Sequence, residues 1–229
     1  MRAVHTEPPA DTGERDGLSY ALFLPAGAPA GGVVVLHGAG SQKENHFDFA
    51  RACSAAGLAA VAFDQRGHGA SDGALDGRAI DDVATIAALL PDGAPVALRG
   101  SSMGGWLALA AGAALDAAAV VAICPASGAQ LRRGLDDRRF PFRADPASLA
   151  PLLETTDLSA AAAALGERLL LMHAEGDEDV PVEHSRALHA AAPASRIEVV
   201  PGGHHRSVQH DPDLQALSVR FIAGRFGAR

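Results

Sequence analysis

A chain of 229 residues, 48% hydrophobic and 20% charged, has the length and composition of one soluble α/β domain with a sizeable core. Its net charge of -8 argues against nucleic acid as the main partner, because phosphate binding needs a basic surface. No apolar run reaches the roughly 18 residues that span a bilayer, and the N-terminal MRAVHTEPPADTGERDG lacks the apolar segment of a secretory leader, so a cytoplasmic location is expected.

Short β-rich runs and helical stretches alternate along the chain. Strands are predicted at 18–25 (LSYALFLP), 32–38 (GVVVLHG) and 58–64 (LAAVAFD), with a helix over 43–57 between the second and third. A helix over 80–93 stops at Pro91 and Gly93, and strand 95–100 (PVALRG) leads into an Ala-rich helix over 104–116. Strands at 119–125, 168–174 and 196–202 follow, with helices at 182–193 and 211–227. The last helix opens on Asp211-Pro212, a good N-cap and first-turn pair. Several of these strands are continuously apolar, as parallel strands buried on both faces are. The alternation predicts a doubly wound, mostly parallel sheet of about seven to eight strands with helices on both faces. Residues 126–166 hold no clear strand, although the alanine run 160–164 suits a helix. They read as a short cap inserted in a single domain spanning 1–229, over the sheet edge where ligands bind in open α/β folds. Cys53 and Cys124 have no metal-like spacing and read as small buried hydrophobes.

Chemistry concentrates at PVALRGSSMGGWLAL (95–109). An apolar strand runs through Gly100-Ser101-Ser102-Met103-Gly104 into a helix. Gly-x-Ser-x-Gly at a strand-to-helix turn suits a nucleophile, because glycines two residues either side of Ser102 let strand and helix approach closely. The helix N-terminus also favours developing negative charge. The bland alternative is an ordinary N-cap serine in a Gly-rich turn.

With this elbow the sequence resembles the α/β-hydrolase superfamily, as a serine esterase or lipase-like member with a short cap, similar to serine-aminopeptidase-like hydrolases. Further segments match in order. VVVLHGAGSQ (33–42) resembles the family's oxyanion loop, which implies oxyanion-hole N–H groups at Ala39 and Met103, with His37 holding the loop by hydrogen bonds. AFDQRGHGASDG (62–73) resembles a turn that is chiefly structural in the family, and Asp64 with Arg66 reads there as a buried ion pair. LLLMHAEGDEDVPVEHS (169–185) resembles the strand and loop that deliver the catalytic acid. Val180-Pro181 sets the register and implies Asp177, although Ala174 stands where the family usually has glycine. VPGGHHRSV (200–208) then implies His205 as the catalytic base, with His204 in the variable position before it and His210 a weaker candidate. The order Ser102, Asp177, His205 is the family's order.

The resemblance implies a hydrolase of carboxylic esters of small or medium acyl chains, working through a Ser-His-Asp triad and an acyl-enzyme. It implies neither cofactor nor metal. Thioesterase and aminopeptidase-like activities stay open, as does a non-catalytic ligand-binding protein on the same scaffold. The expected partner is a small-molecule acyl substrate, and a homodimer is left open. Phe140, Phe142 and Arg99 are candidate substrate-binding residues. Arginines 132, 133, 138, 139 and 143 either meet an anionic substrate or pair with Asp136, Asp137 and solvent.

Overall fold

The computed structural model describes residues 7–227. Within it, the apolar runs Gly32–Leu36 (β3), Ala59–Phe63 (β4), Ala119–Ile123 (β6) and Leu169–Ala174 (β7) are buried at every position. Val96–Ser101 (β5) is buried from its second residue on. With Asp11–Arg15 (β1), Leu18–Phe23 (β2) and Arg196–Val200 (β8) they form an eight-stranded sheet, ordered β1-β2-β4-β3-β5-β6-β7-β8. The first two pairings, β1 with β2 and β2 with β4, are antiparallel; the others are parallel.

The two-residue period of a strand divides the core into two layers. Val34, Leu36, Val61, Phe63 and Leu98 pack against Ala79–Ala87 (α2) and Met103–Ala114 (α3). Val33, Val35, Ala60, Ala62 and Ala97 face Phe47–Ala55 (α1) and Pro212–Phe226 (α8). Each fully buried Val or Leu contributes about 1.5–3 kcal/mol, so both faces of the sheet hold the helices firmly. Asp211 caps α8, accepting from the Asp213 and Leu214 N–H groups at 2.9 and 3.0 Å.

One strand escapes the sequence pattern. β1 reads DTGER and is exposed at all five positions, so it carries no apolar alternation. Asp16-Gly17 make it a strand: their φ angles of 52° and 76° match a tight two-residue hairpin turn that sets Arg15 opposite Leu18.

Between β6 and β7 lie three α-helices, Gly128–Asp136 (α4), Pro146–Thr155 (α5) and Leu158–Leu165 (α6). Each starts on a side-chain cap. Ser127 and Gln130 cap each other's backbone, and Asp145 and Asp157 accept from two N–H groups each. α4 packs on α5, whereas α6 packs on α3 and on Val182–Ala191 (α7) in the layer against the sheet. Among the described residues no helix is long and apolar enough to cross a membrane.

Candidate active site

The C-terminal ends of the parallel strands carry the candidate residues. Ser102 lies between β5 and α3 with φ 55° and ψ -117°, a strained conformation for a residue with a side chain. The neighbouring glycines permit it. A Cβ at Gly100 would run into the Gly104 carbonyl, and one at Gly104 into the carbonyls of Leu36 and His37. Strand β5, helix α3 and the end of β3 therefore touch backbone to backbone. The Ser102 N–H donates to Ile123 O at 2.9 Å, tying the turn to β6. Met103 is the first residue of α3, so its N–H is one of the unpaired donors of a helix start. Gly38 packs against the Ser102 side chain, and Ala39 lines the cleft that Ser102 also lines.

His37 fixes the loop that holds Ala39. Its Nδ1 donates to Gly38 O at 2.8 Å, its Nε2 accepts from the Gln65 N–H at 3.0 Å, and Gln65 Nε2 donates to His37 O at 2.7 Å. Burial and repulsion from His68 lower its pKa to about 4, so the ring is neutral and holds this tautomer.

Asp177, in the loop after β7, has a buried carboxylate. Oδ1 accepts from the Asp179 and Val180 N–H groups, both at 2.9 Å, and Oδ2 from His205 Nδ1 at 2.7 Å. Burial alone would raise this carboxyl. The Val180 hydrogen bond and His205 outweigh it, and the pKa lies below the ordinary value. His173 flanks the same oxygen at 3.4 Å, donating instead to Val180 O at 2.9 Å and accepting from Ser185 Oγ at 2.7 Å. His204 is exposed and turned back on its own loop, where its Nδ1 accepts from the Arg206 N–H. His210 pairs with Asp48 at 3.0 Å.

Ser102 and His205 line one cleft of about 870 Å³. Among the described residues neither Ser102 Oγ nor His205 Nε2 has a hydrogen-bond partner, so the hydroxyl and the second imidazole nitrogen are both open to the cleft. Phe140 lines this cleft and an adjoining apolar recess with Met103, Trp106 and Leu131. Phe142 lines only the recess, stacked on His68 with ring centroids 4.0 Å apart. Arg99 lines neither. It points to the α1 side of the sheet, 3.9 Å over the Phe49 ring, and Nη2 donates to Gln209 O at 2.8 Å. Burial lowers its pKa to about 10.

The turn after β4 pairs differently from the sequence reading. Arg66 bonds Asp82 on α2 at 2.9 Å, while Asp64 takes Lys43 Nζ at 2.8 Å and the Ala70 N–H at 2.9 Å. The turn curls its own backbone over the Asp64 carboxylate, which excludes Arg66 and leaves Asp64 to the chain's sole lysine.

Two residue trios bring ligand-type atoms within 4.8 Å, Cys124 with His173 and Asp177, and Asp177 with Asp179 and His205. Both centre on Asp177, whose oxygens are already hydrogen-bonded, and burial pushes the Cys124 thiol up to about 12, so it stays protonated. The donor sets suit a hydrogen-bonded acid better than a metal.

Sequence reasoning missed Gln209. It accepts from Ser101 Oγ at 2.5 Å, donates toward His210 at 3.0 Å, and gives its carbonyl to Arg99 and Gln215. This network pins the histidine loop to β5, the strand that leads into Ser102. No local motif marks it, because Arg99 and Ser101, the partners that tie it to β5, are about a hundred residues away.

A family model described as serine aminopeptidase, S33, matches residues 27–143. No curated protein matches the chain. Among solved structures the chain is similar to Est1E from Butyrivibrio proteoclasticus with ferulic acid bound. The two are 19% identical with a TM-score of 0.71, covering 95% of this chain and 98% of that one. It is similar to a monoacylglycerol lipase from Paleococcus ferrophilus at 21% identity and a TM-score of 0.72, covering 91% and 99%. A thermostable carboxyl esterase from Bacillus coagulans, in complex with glycerol, is 14% identical with a TM-score of 0.73, covering 94% and 98%. At these identities the likeness shows a common fold.

Proposed function

This chain belongs to the serine aminopeptidase S33 family of α/β hydrolases, and on that premise we propose that it is a serine hydrolase cleaving carboxylic esters of small or medium acyl chains. The observation that carries this is the 2.7 Å hydrogen bond from His205 Nδ1 to buried Asp177, in the cleft that Ser102 lines from its strained turn.

His205 Nε2 takes the Ser102 proton as Oγ attacks the acyl carbonyl. Asp177 holds the imidazole in the tautomer with Nδ1 protonated and offsets the charge that forms on it. The N–H groups of Ala39 and Met103 meet the tetrahedral oxyanion; losing one such donor typically costs about 10²–10³ in rate. His205 then protonates the leaving alcohol and activates water to release the acid, regenerating Ser102. Phe140 packs beside the acyl group, under a cap formed by the segment between β6 and β7, while Phe142 backs the adjoining recess. Support for ester substrates comes from the similar structures that are named as a monoacylglycerol lipase and a carboxyl esterase, beside Est1E with ferulic acid bound.

Hydrolysis of p-nitrophenyl acetate and butyrate by wild type and Ser102→Ala tests the reading, together with labelling of Ser102 by a fluorophosphonate. Turnover and labelling lost together in Ser102→Ala are expected. A wild-type protein that neither turns over nor takes the label is a binding protein instead.

A further inference from the structure

We propose that the cleft is built for an anionic ester, one that carries a carboxylate or phosphate away from its scissile carbonyl, bound by Arg133, Arg139 and Arg206. This rests on the serine-hydrolase reading of the same cleft.

Three arginines from two separate segments line it: Arg133 on α4, Arg139 just beyond α4, and Arg206 next to His205. Asp179 is the only carboxylate in the lining among the described residues. The chain as a whole carries a net charge of -8, so the positive lining runs against the sign of the molecule. A cleft of one sign focuses its field on an entering ligand.

The pairing of the arginines separates those facing the cleft from their neighbours. Arg132, also on α4, is engaged by Asp136 at 3.1 Å and Glu154 at 2.8 Å. Arg139 bonds Asp137 at 2.7 Å, but both side chains are largely exposed, and such a pair is worth about 0–1 kcal/mol, so Asp137 yields readily to a ligand. Among the described residues the guanidinium groups of Arg133 and Arg206 have neither an ion pair nor a hydrogen bond. Two unengaged planar forks at one cleft match the bidentate geometry of a carboxylate or phosphate. Leu131 and Phe140 line the same cleft and offer an apolar wall for the stem between that anion and the ester.

The test compares kcat/KM for mono-p-nitrophenyl adipate with that for neutral p-nitrophenyl hexanoate. The expected adipate-to-hexanoate ratio at low salt is at least about tenfold, shrinking in about 0.5 M NaCl as screening sets in. Arg133→Gln with Arg206→Gln should lower the ratio roughly tenfold, chiefly through KM. Arg133→Lys with Arg206→Lys, which keeps the charge but loses the bidentate forks, should give a ratio between those of wild type and the double Gln variant, and Arg132→Gln should not move it. Free adipate and phenyl phosphate serve as competitive inhibitors, the tighter of them identifying the anion. A ratio at or below one in wild type, a ratio unchanged in the double Gln variant, or inhibition by neither anion overturns the proposal. If Ser102 still takes a neutral fluorophosphonate and hexanoate is still cleaved, only the anion preference falls. If neither happens, the hydrolase reading itself falls.

Discussion

Asp177 Oδ2 accepts a 2.7 Å hydrogen bond from His205 Nδ1, while two backbone N–H groups hold Oδ1 of the same carboxylate. The acid is thus fixed before it fixes the imidazole. Asp177→Asn keeps the shape but can donate to Nδ1, favouring the wrong tautomer. A fall in kcat of about 10⁴ is expected, measured on p-nitrophenyl butyrate with the fold checked by circular dichroism.

The two adjacent histidines differ by what they touch. His205→Ala should lower kcat by about 10⁴–10⁶, whereas His204→Ala, an exposed residue bonded only within its own loop, should stay within about threefold of wild type. Steady-state kinetics of both variants decide it, and equal losses would place the base elsewhere.

Arg99 is a positioning residue for the histidine loop. Among the described residues its buried guanidinium has no carboxylate partner and Nε has no hydrogen-bond partner, while Nη2 holds the Gln209 carbonyl. Replacing a buried charge with an apolar residue of similar size is often neutral or stabilising. Arg99→Met should therefore leave the urea midpoint nearly unchanged. The freed loop should lower kcat by about tenfold or more, since a 1 Å misplacement can cost 10². A large loss of stability with unaltered kcat in the folded fraction would contradict this.

Gly104 meets the C-terminal end of β3, against the carbonyls of Leu36 and His37, where no Cβ fits. Gly104→Ala should cost at least about 1–3 kcal/mol, the usual penalty for overpacking, and activity should fall with it as the elbow shifts. Denaturant unfolding measures the first and kcat the second.

His46 is buried, and neither ring nitrogen has a hydrogen-bond partner among the described residues. Burial, then repulsion from Arg99, lowers its pKa to about 3. The folded state holds the ring neutral, while the unfolded chain takes up a proton below its ordinary value of 6.5. Stability from this group is complete above that value and falls as pH drops toward 3. His46→Phe removes the effect. Between pH 7 and 4.5 the wild type should lose about 2–3 kcal/mol more than the variant, read from urea unfolding at both pH values.

The sequence by itself determined the alternation of strands and helices and the elements that carry the candidate site. The reason is local. Continuous apolar runs need burial on both faces, and the glycines flanking Ser102 are required wherever strand and helix backbones touch. β1 was hidden because its five exposed residues leave no hydrophobic period, and only the Asp16-Gly17 turn signals it. The tertiary structure alone decided which side chains meet. His205, which the family resemblance implied ahead of His204, reaches Asp177 from a loop that Gly202 and Gly203 turn at φ 65° and 75°. Arg99 faces Phe49 rather than the cleft because it falls on the α1 side of β5. Arg133 and Arg132, adjacent in sequence, divide between the cleft and Glu154 because neighbours on a helix point about 100° apart.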